Sequence, residues 1–131
     1  MQIEKIYQTR FGKDFVFRNK MWNVLCADYF QKFIPEHSAV LEIGSGYAEF
    51  INNIKADKKY AVDINPDSKN YVAPEVQFIN ARSSEISFLK DESVDVIFMS
   101  NFLEHLERRE IFLTLKECYR CLKQTGRLLI L

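Results

Sequence analysis

The sequence predicts an α/β fold in which a doubly wound, mostly parallel sheet carries helices on both faces. Short apolar runs alternate along the chain with stretches of helical periodicity, and this alternation is typical of right-handed βαβ crossovers. One run, VDVIFMS at residues 94–100, is apolar almost throughout, as expected of a strand that is buried on both faces. Two glycines, Gly44 and Gly46, follow the first predicted strand, which is where ligands bind in such folds.

The N-terminal part of the chain is predicted to be a helical lead-in to the sheet. Residues 1–14 are mixed and polar, and a helix is expected over residues 15–34, up to Pro35. Its apolar face is formed by Trp22, Leu25, Tyr29 and Phe33. We therefore divide the chain into an N-terminal helical lead-in, residues 1–37, and a core domain, residues 38–131.

Five strands and three helices are predicted in the core domain. The strands are expected at residues 39–43, 59–64, 76–80, 94–100 and 127–131. The helices are expected at residues 48–55, 83–89 and 104–123. The longest helix has an apolar face made of Ile111, Leu115, Cys118 and Leu122.

Composition narrows the classes of function. The chain has 131 residues, and its 18 basic residues balance 18 acidic ones. A net charge of zero disfavours a protein that binds the nucleic-acid backbone, because such proteins usually have a basic excess. No apolar run approaches the roughly 20 residues that span a bilayer, and the polar N-terminus does not resemble a signal peptide. Three cysteines, an odd and low number, predict a reduced, cytoplasmic protein.

The residues around the glycine turn predict a nucleoside site with a cationic end, the alternative being a tight turn that binds no ligand. Asp63 ends the second predicted strand, where a carboxylate can accept two hydrogen bonds from a ribose diol. Glu42 lies two residues before Gly44, so a pyrophosphate would meet an anion there, whereas an α-ammonium group would be attracted. The dinucleotide-binding fingerprint also requires a small residue at the position of Glu49.

Four segments, in this order, resemble the motifs of class I S-adenosylmethionine-dependent methyltransferases. They are VLEIGSGYAEF at 40–50, YAVDINPD at 60–67, SVDVIFMSNFLEHL at 93–106 and ECYRCLKQTGRLLIL at 117–131. The resemblance covers residues 38–131. It implies a Rossmann-like sheet, S-adenosylmethionine as the cofactor and S-adenosylhomocysteine as the product.

The resemblance also implies a set of cofactor-binding residues, within which Asp63 would take the ribose hydroxyls. The set consists of Glu42, Ile43, Gly44, Ser45, Gly46, Asp63, Ile64, Arg82, Ser83 and Asn101. Two positions depart from the family pattern: Ala48 stands where a third glycine is common, and residues 124–126 read Gln-Thr-Gly instead of Pro-Gly-Gly. No metal is expected, and no catalytic residue is assigned.

Arg82 is a further departure, and it affects adenine recognition. After the third strand the family often has an acidic residue that accepts a hydrogen bond from the adenine amino group, whereas arginine has no acceptor. Asn80, Ser83, Ser84, Glu85 or a main-chain carbonyl could replace that acid, or adenine recognition could be weakened. The sequence leaves these alternatives open.

Several other residues have both a functional and a structural interpretation. His105 follows the fourth strand and is a candidate general base, the alternative being a structural role at the start of the helix. His37 is expected to be solvated. Cys118 and Cys121 lie late in a long helix, which predicts structural cysteines rather than a redox pair. The charged run at 107–110 is expected to be a solvated helix face.

The predicted function is methyl transfer from S-adenosylmethionine to a small-molecule acceptor, such as a sugar or another metabolite. A protein or RNA methyltransferase and a non-catalytic cofactor-binding fragment are the alternatives. The chain stops within its fifth predicted strand, whereas the family it resembles continues for two more strands. We therefore expect either a fragment of a longer methyltransferase or self-association through strand five, because an uncovered strand edge invites pairing.

Overall fold

A computed structural model describes the main chain of residues 2–131 and the side chains of residues 14–131. Within these residues the chain forms three α-helices and five strands. They are α1 (Gln2–Asp28), β1 (Ala39–Ile43), α2 (Glu49–Asn53), β2 (Lys58–Asp63), β3 (Val76–Asn80), β4 (Val94–Met99), α3 (Arg108–Cys121) and β5 (Leu122–Ile130). Short 3₁₀ turns lie at Phe30–Phe33, Pro66–Tyr71 and Leu103–His105.

The strands form one sheet in the order β3-β2-β1-β4-β5, and each neighbouring pair is parallel. The chain runs outward from β1 to β3 and then returns to the other side of β1 with β4. This arrangement confirms the predicted doubly wound, Rossmann-like α/β fold. It also places the switch point of the topology at the carboxyl ends of β1 and β4, where such sheets bind ligands.

Both faces of the sheet are buried, which explains why its strands read as continuous apolar runs. On one face, Val40 and Phe98 pack into a cluster with the helices α1 and α2. The rings of Phe50 and Phe98 stack there, with centroids 3.7 Å apart. On the opposite face, Leu41 packs with Cys118 of α3 and with the loop after β3. The site at the end of β1 therefore rests on a close-packed core.

The N-terminal helix differs from its predicted form. It begins at Gln2 rather than at residue 15, and it ends at Asp28, where a 3₁₀ turn takes over. A 3₁₀ turn has fewer residues per turn than an α-helix, so it changes which side chains face the core. The buried side chains are Trp22, Cys26, Phe30 and Ile34. Tyr29, which was expected on the buried face, is 52% exposed.

The boundaries of the next elements agree with prediction to within a few residues. β1 and β3 have their predicted bounds, β2 lies one residue earlier, and β4 ends one residue earlier, at Met99. Helix α2 has only five residues, Glu49–Asn53, because Ile54 already has an extended conformation.

The predicted helix at residues 83–89 is wrong, because this segment folds into turns. The guanidinium group of Arg120 donates to the carbonyl oxygen of Ile86 at 3.2 Å and to that of Leu89 at 2.8 Å. The carbonyl of Leu89 is therefore satisfied by a side chain from α3, and that of Ile86 by the same side chain together with one turn bond from the N–H of Leu89.

Helix α3 is shorter than the predicted 104–123, and its buried face is different. Its buried side chains are Thr114, Cys118 and Cys121. Leu115, which was expected to be buried, is 37% exposed, and Leu122 already belongs to β5. A buried threonine replaces the expected leucine, and its hydroxyl is hydrogen-bonded to Ser83.

Strand β5 begins earlier than predicted, at Leu122 instead of Arg127. Leu122 pairs with Val94, while Arg127 pairs with Val96, so residues 123–126 form an irregularity between the two pairings. From Arg127 to Ile130 the strand follows the predicted course, with regular parallel pairing to β4.

Candidate functional site

The turn after β1 is fixed to the end of β2. The N–H groups of Gly44 and Ser45 both donate to the carbonyl oxygen of Val62, at 2.8 and 3.2 Å. Gly44 has φ +70° and Gly46 has φ +49°, which confirms that the turn uses the left-handed region that glycine adopts easily. Ala48 has φ +58°, a conformation that is strained for alanine, at the position where the third glycine was expected.

Asp63 shapes the same turn from the end of β2. One of its carboxylate oxygens accepts the N–H of Gly46 at 2.8 Å, and the other accepts the N–H of Asn65 at 2.8 Å. A carboxylate has about four acceptor sites, so this side chain keeps capacity for further hydrogen bonds. It can therefore hold the turn and accept hydroxyl groups of a ligand at the same time.

Glu42 lies beneath the turn and is only 6% exposed. One of its carboxylate oxygens accepts the N–H of Ile51 in α2 at 3.0 Å. Burial raises the pKa of Glu42 well above its usual value; the bond from Ile51 opposes this, and the negative charges of Glu49 and Asp63 add to it. A cation bound beside Glu42 would reverse this balance by favouring the ionised carboxylate.

Glu42 lines a pocket of about 180 Å³, here called the acidic pocket, together with a second buried glutamate, Glu49. One carboxylate oxygen of Glu49 accepts from Nε of Arg18 at 3.1 Å. The other oxygen of Glu49 and the hydroxyl of Ser45 are buried and have no hydrogen-bond partner among the described residues. Such groups cost about 1–3 kcal/mol each, so the pocket favours a ligand that brings donors.

A second pocket, of about 120 Å³, shares Gly44 with the acidic pocket. We call it the apolar pocket because most of its lining is apolar: Ile43, Val62, Ile64, Ala81, Phe102 and Leu106. Its polar lining consists of Asp63, Arg82, Ser83 and Glu110. A flat, mostly apolar group with a few polar atoms, such as a nucleobase, suits this lining.

Phe102 lies against Gly44, where the two pockets meet. A Cβ atom placed on Gly44 would be 2.3 Å from Cδ2 of Phe102, so only glycine permits this approach. Each pocket is smaller than the roughly 300 Å³ typical of small-molecule sites. A ligand with a nucleoside and an amino-acid end would therefore fill both pockets and cross Gly44 beside Phe102.

The ten residues that were predicted to bind the cofactor all line one of these two pockets, and Gly44 lines both. The acidic pocket is lined by Glu42, Ser45, Gly46 and Asn101 of this set. The apolar pocket is lined by Ile43, Asp63, Ile64, Arg82 and Ser83 of this set. The fold thus brings the predicted set together, while its assignment to a cofactor stays a prediction.

Eleven of the described lining residues were not predicted as part of the site, and they include Arg18, Glu49, Phe102 and Glu110. Arg18 and Glu49 meet in the acidic pocket although 31 positions separate them, and no local pattern connects them. Phe102 reaches the site from the segment after β4. Glu110 belongs to the charged run that was expected to be solvated; Glu107 and its two arginine neighbours are exposed, but Glu110 is partly buried and lines the apolar pocket.

The histidines and the cysteine pair lie away from these pockets. His105 is 74% exposed on its side chain, with Nε2 3.9 Å from a carboxylate oxygen of Glu104, and it lines neither pocket. His37 is solvated, as predicted. Cys118 and Cys121 are buried, and burial raises the pKa of the Cys118 thiol to about 12, which confirms the structural interpretation.

A wider groove, of about 770 Å³, lies beside the start of β5, at the other end of the strands from the two pockets. Its arginine, Arg120, is paired with Glu117 and Asp91, and its Lys123 is paired with Asp95. Arg120 and Lys123 are therefore already engaged in ion pairs within the chain. Among the described residues, no helix is long and apolar enough to cross a membrane and no cluster of side chains could hold a metal ion.

Several solved structures with a similar fold have methyltransferase names. A S-adenosylmethionine-dependent methyltransferase from Archaeoglobus fulgidus is 25% identical, with a TM-score of 0.70, over 91% of this chain and 56% of that one. A protein of Methanococcus maripaludis assigned to the same enzymes is 16% identical, with a TM-score of 0.73, over 98% and 60% of the two chains. Phosphoethanolamine N-methyltransferase 1 of Haemonchus contortus, solved with phosphoethanolamine and S-adenosylhomocysteine, is 16% identical, with a TM-score of 0.64, over 86% and 31%.

The chain thus spans little more than half the length of the first two of these proteins. A search of curated proteins found no significant match. The sequence profile of the methyltransferase domain matches residues 41–130. Since this match covers well over half of the sequence and includes both carboxylates of the glycine turn, the chain belongs to the methyltransferase domain family.

Proposed function

We propose that this chain binds S-adenosylmethionine across the acidic and apolar pockets and transfers its methyl group to a small-molecule acceptor, such as a sugar or another metabolite. The observation that carries the proposal is the acidic pocket. Two buried glutamates, Glu42 and Glu49, meet there with the unpartnered hydroxyl of Ser45. A pyrophosphate would be repelled by these carboxylates, whereas a zwitterionic amino-acid group would be attracted.

The residues of the acidic pocket fit the methionyl end of the cofactor. An α-ammonium group has three N–H donors, and Glu42, Glu49 and Ser45 supply acceptors for them. The α-carboxylate needs donors, and the guanidinium group of Arg18 lies at the same pocket. Binding would then pair every charge that it buries, which is the condition under which buried charges are tolerated.

The residues of the apolar pocket fit the adenosine end. Asp63 would accept hydrogen bonds from the ribose diol with the acceptor sites that Gly46 and Asn65 leave open. Ile64 is largely exposed at the rim, where it would gain apolar contact from a nucleobase. The two ends together span Gly44, whose lack of a side chain permits close approach.

When bound, the sulfonium cofactor supplies a methyl group that is already activated for transfer. The task of the chain is then to hold that group in line with the acceptor, and positioning of this kind can supply a large part of the acceleration. Phe102 and Leu106 line the pocket wall with apolar surface and so help to exclude water. A proton acceptor is required only for an acceptor such as a hydroxyl, and His105 stays a candidate from outside the two pockets.

The acceptor class is the finer part of the proposal. A net charge of zero favours a small molecule over a nucleic acid, whose binding proteins usually have a basic excess. A cytoplasmic location belongs to the same proposal and is supported by the three cysteines, all of which are free thiols.

A binding panel tests the cofactor assignment. S-adenosylmethionine and S-adenosylhomocysteine at 100 times their Kd should each add about 2.7 kcal/mol to the free energy of unfolding, and NAD should add none. In calorimetry, Asp63→Ala should weaken binding by about 1.5–3 kcal/mol. Asp67→Ala, an exposed carboxylate that lines neither pocket, is the matched control.

The panel has clear negative outcomes. Stabilisation by NAD, with none by S-adenosylmethionine or S-adenosylhomocysteine, would overturn the cofactor assignment. Equal affinities of Asp63→Ala and Asp67→Ala for the cofactor would show that Asp63 is not part of the site. The acceptor class is tested by incubating the protein with methyl-labelled S-adenosylmethionine and separate small-molecule and macromolecular fractions of a cell extract. Label should enter the small-molecule fraction; label only in protein or RNA would contradict that part of the proposal.

A further inference from the structure

The exocyclic amino group of adenine is a hydrogen-bond donor and needs an acceptor in the apolar pocket. Arg82 lies at the start of the loop that follows β3 and lines this pocket, but a guanidinium group has five N–H donors and no acceptor. Asp63 also lines this pocket, and the acceptor sites that Gly46 and Asn65 leave open on its carboxylate are those proposed above for the ribose diol. The base therefore needs an acceptor from another residue that lines the pocket.

Of the polar side chains at and just after the end of β3, Ser83 is hydrogen-bonded to α3, while Asn80 and Glu85 lie outside the described lining of the pocket. The hydroxyl of Ser83 is buried and hydrogen-bonded to the hydroxyl of Thr114 at 2.7 Å. Asn80, the last residue of β3, is not among the described residues that line the pocket, and its side-chain nitrogen donates to the carbonyl oxygens of Asp63 and Ile64, each 2.9 Å away. Glu85 is exposed and is not among the described residues that line the pocket.

Glu110 is the one carboxylate besides Asp63 among the described residues that line this pocket. It lies in the first turn of α3 and is partly buried. The hydroxyl of Ser84 donates to one of its oxygens at 3.0 Å, which ties the carboxylate to the loop after β3. A carboxylate with one such bond keeps acceptor sites open, so Glu110 has both the place and the capacity to accept from a bound base.

We propose that Glu110 of α3 accepts the hydrogen bond of the adenine amino group and so determines the choice of base, with Ser84 as its positioning residue. This inference rests on the proposed binding of an adenosine cofactor. In this chain the base would be recognised from the helix side of the pocket, while the loop after β3 contributes the donor Arg82. A ligand with an acceptor in place of the amino group would then face the carboxylate of Glu110 and be repelled.

The test compares two ligands that differ at this single group. S-inosyl-L-homocysteine has an oxo group where S-adenosyl-L-homocysteine has the amino group. Calorimetry on the whole chain should show that the inosyl ligand binds roughly 10- to 100-fold more weakly, the range expected when a hydrogen bond to a charged group is lost. Glu110→Ala should bind the adenosyl ligand about tenfold or more weakly and should lose the preference.

Glu110→Gln gives the sharper result. A glutamine side chain has both a carbonyl acceptor and an amide donor, so it can serve either base. This variant should therefore keep binding the adenosyl ligand and should gain affinity for the inosyl ligand, bringing the ratio of the two Kd values close to one. Ser84→Ala should reduce the ratio in part, because the carboxylate loses the bond that orients it. Glu85→Gln, a carboxylate of the same loop that lies outside the pocket, should keep the wild-type ratio.

The outcomes separate this inference from the proposed function. An unchanged ratio in both Glu110 variants, with normal binding of the adenosyl ligand, would overturn the role of Glu110 and leave the cofactor site intact. A ratio that collapses in Glu85→Gln instead would assign the role to Glu85. Failure of the wild-type chain to bind either ligand would overturn the inference and the proposed function together. Circular dichroism of each variant, compared with the wild type, shows that the fold is retained.

Discussion

Replacing Gly44 with alanine should destabilise the protein more than the same change at Gly46. Both glycines have positive φ, so each variant places a Cβ atom in the left-handed region, at a cost of about 1–2 kcal/mol. Only at Gly44 does the new atom meet a neighbour, since it would lie 2.3 Å from Cδ2 of Phe102. At Gly46 no described atom lies within 4 Å of the new Cβ. Gly46→Ala is therefore the matched control that isolates the contact with Phe102.

The contact with the ring sets the size of the difference. Carbon atoms pack at about 3.5–4.0 Å, so a separation of 2.3 Å forces the ring of Phe102 to move. Overpacking of this kind costs about 1–3 kcal/mol, and because Phe102 is only partly buried we expect the lower end of that range. Gly46→Ala should then lose about 1–2 kcal/mol of unfolding free energy, and Gly44→Ala about 2–3 kcal/mol.

Urea denaturation followed by circular dichroism measures these free energies, and a double variant tests their cause. In the background of Phe102→Ala the ring is absent, so adding Gly44→Ala should cost only as much as Gly46→Ala does in the wild type. Equal losses for the two single variants would refute the steric reasoning. So would a double variant in which the extra loss at Gly44 persists. In the wild-type background, Gly44→Ala should also weaken binding of S-adenosylhomocysteine more than Gly46→Ala.

Glu42→Gln should raise the free energy of unfolding of the ligand-free protein at neutral pH. Burial holds the pKa of Glu42 well above its usual value of 4.5, so the stabilisation from its protonated form is complete below about pH 4.5 and is lost as the pH rises through the raised native pKa. In urea titrations, the free energy of unfolding of the variant should therefore exceed that of the wild type by an amount that grows with pH. The affinity of the variant for the cofactor should fall. A stability difference that is independent of pH would contradict the raised pKa of Glu42. Arg18→Gln should weaken calorimetric binding of S-adenosylhomocysteine by about 1 kcal/mol, the screened value for a partly exposed charge, and should leave binding of methylthioadenosine, which lacks the amino-acid end, unchanged. Lys20→Gln, on the same helix but outside both pockets, is the control, and equal affinities of the two variants would remove Arg18 from the site.

The doubly wound, mostly parallel sheet and the bounds of β1 and β3 could be predicted because short strands with polar or turn-forming ends alternate in the sequence with helical patterns. The failures occurred where distant residues override the local pattern. Residues 83–89 have a helical pattern. However, the guanidinium group of Arg120, which is 31 positions beyond Leu89, donates hydrogen bonds to the carbonyl oxygens of Ile86 and Leu89. The buried face of α3 was misjudged because Thr114 looks polar in the sequence, and its burial depends on the hydroxyl of Ser83.

The part of the site that could be predicted lies next to the glycine turn, because motif and chemistry coincide there. Glu42 and Asp63 follow directly from their positions at the strand ends, and the fold places both around Gly44. Arg18 and Glu110 could not be predicted, because they enter the site from helices whose orientation depends on tertiary packing. Glu110 follows three exposed charged residues, and Arg18 lies between the exposed Phe17 and Asn19, so neither residue has a distinguishing local signal.

The central position of β1 has a consequence for the kinetics of folding. β1 pairs with β2 on one side and with β4 on the other, and the N–H of Ala39 also donates to the carboxylate of Asp95, 56 positions away. Parallel pairing across such distances is slow, because the entropy of loop closure is lost before the contacts form. The pocket beside Gly44 therefore exists only after β4 has returned across the sheet. A cofactor that binds there should slow unfolding and leave the folding rate unchanged, which stopped-flow measurements with and without S-adenosylhomocysteine would reveal. Such a ligand protects completed molecules from degradation without helping unfinished ones to fold.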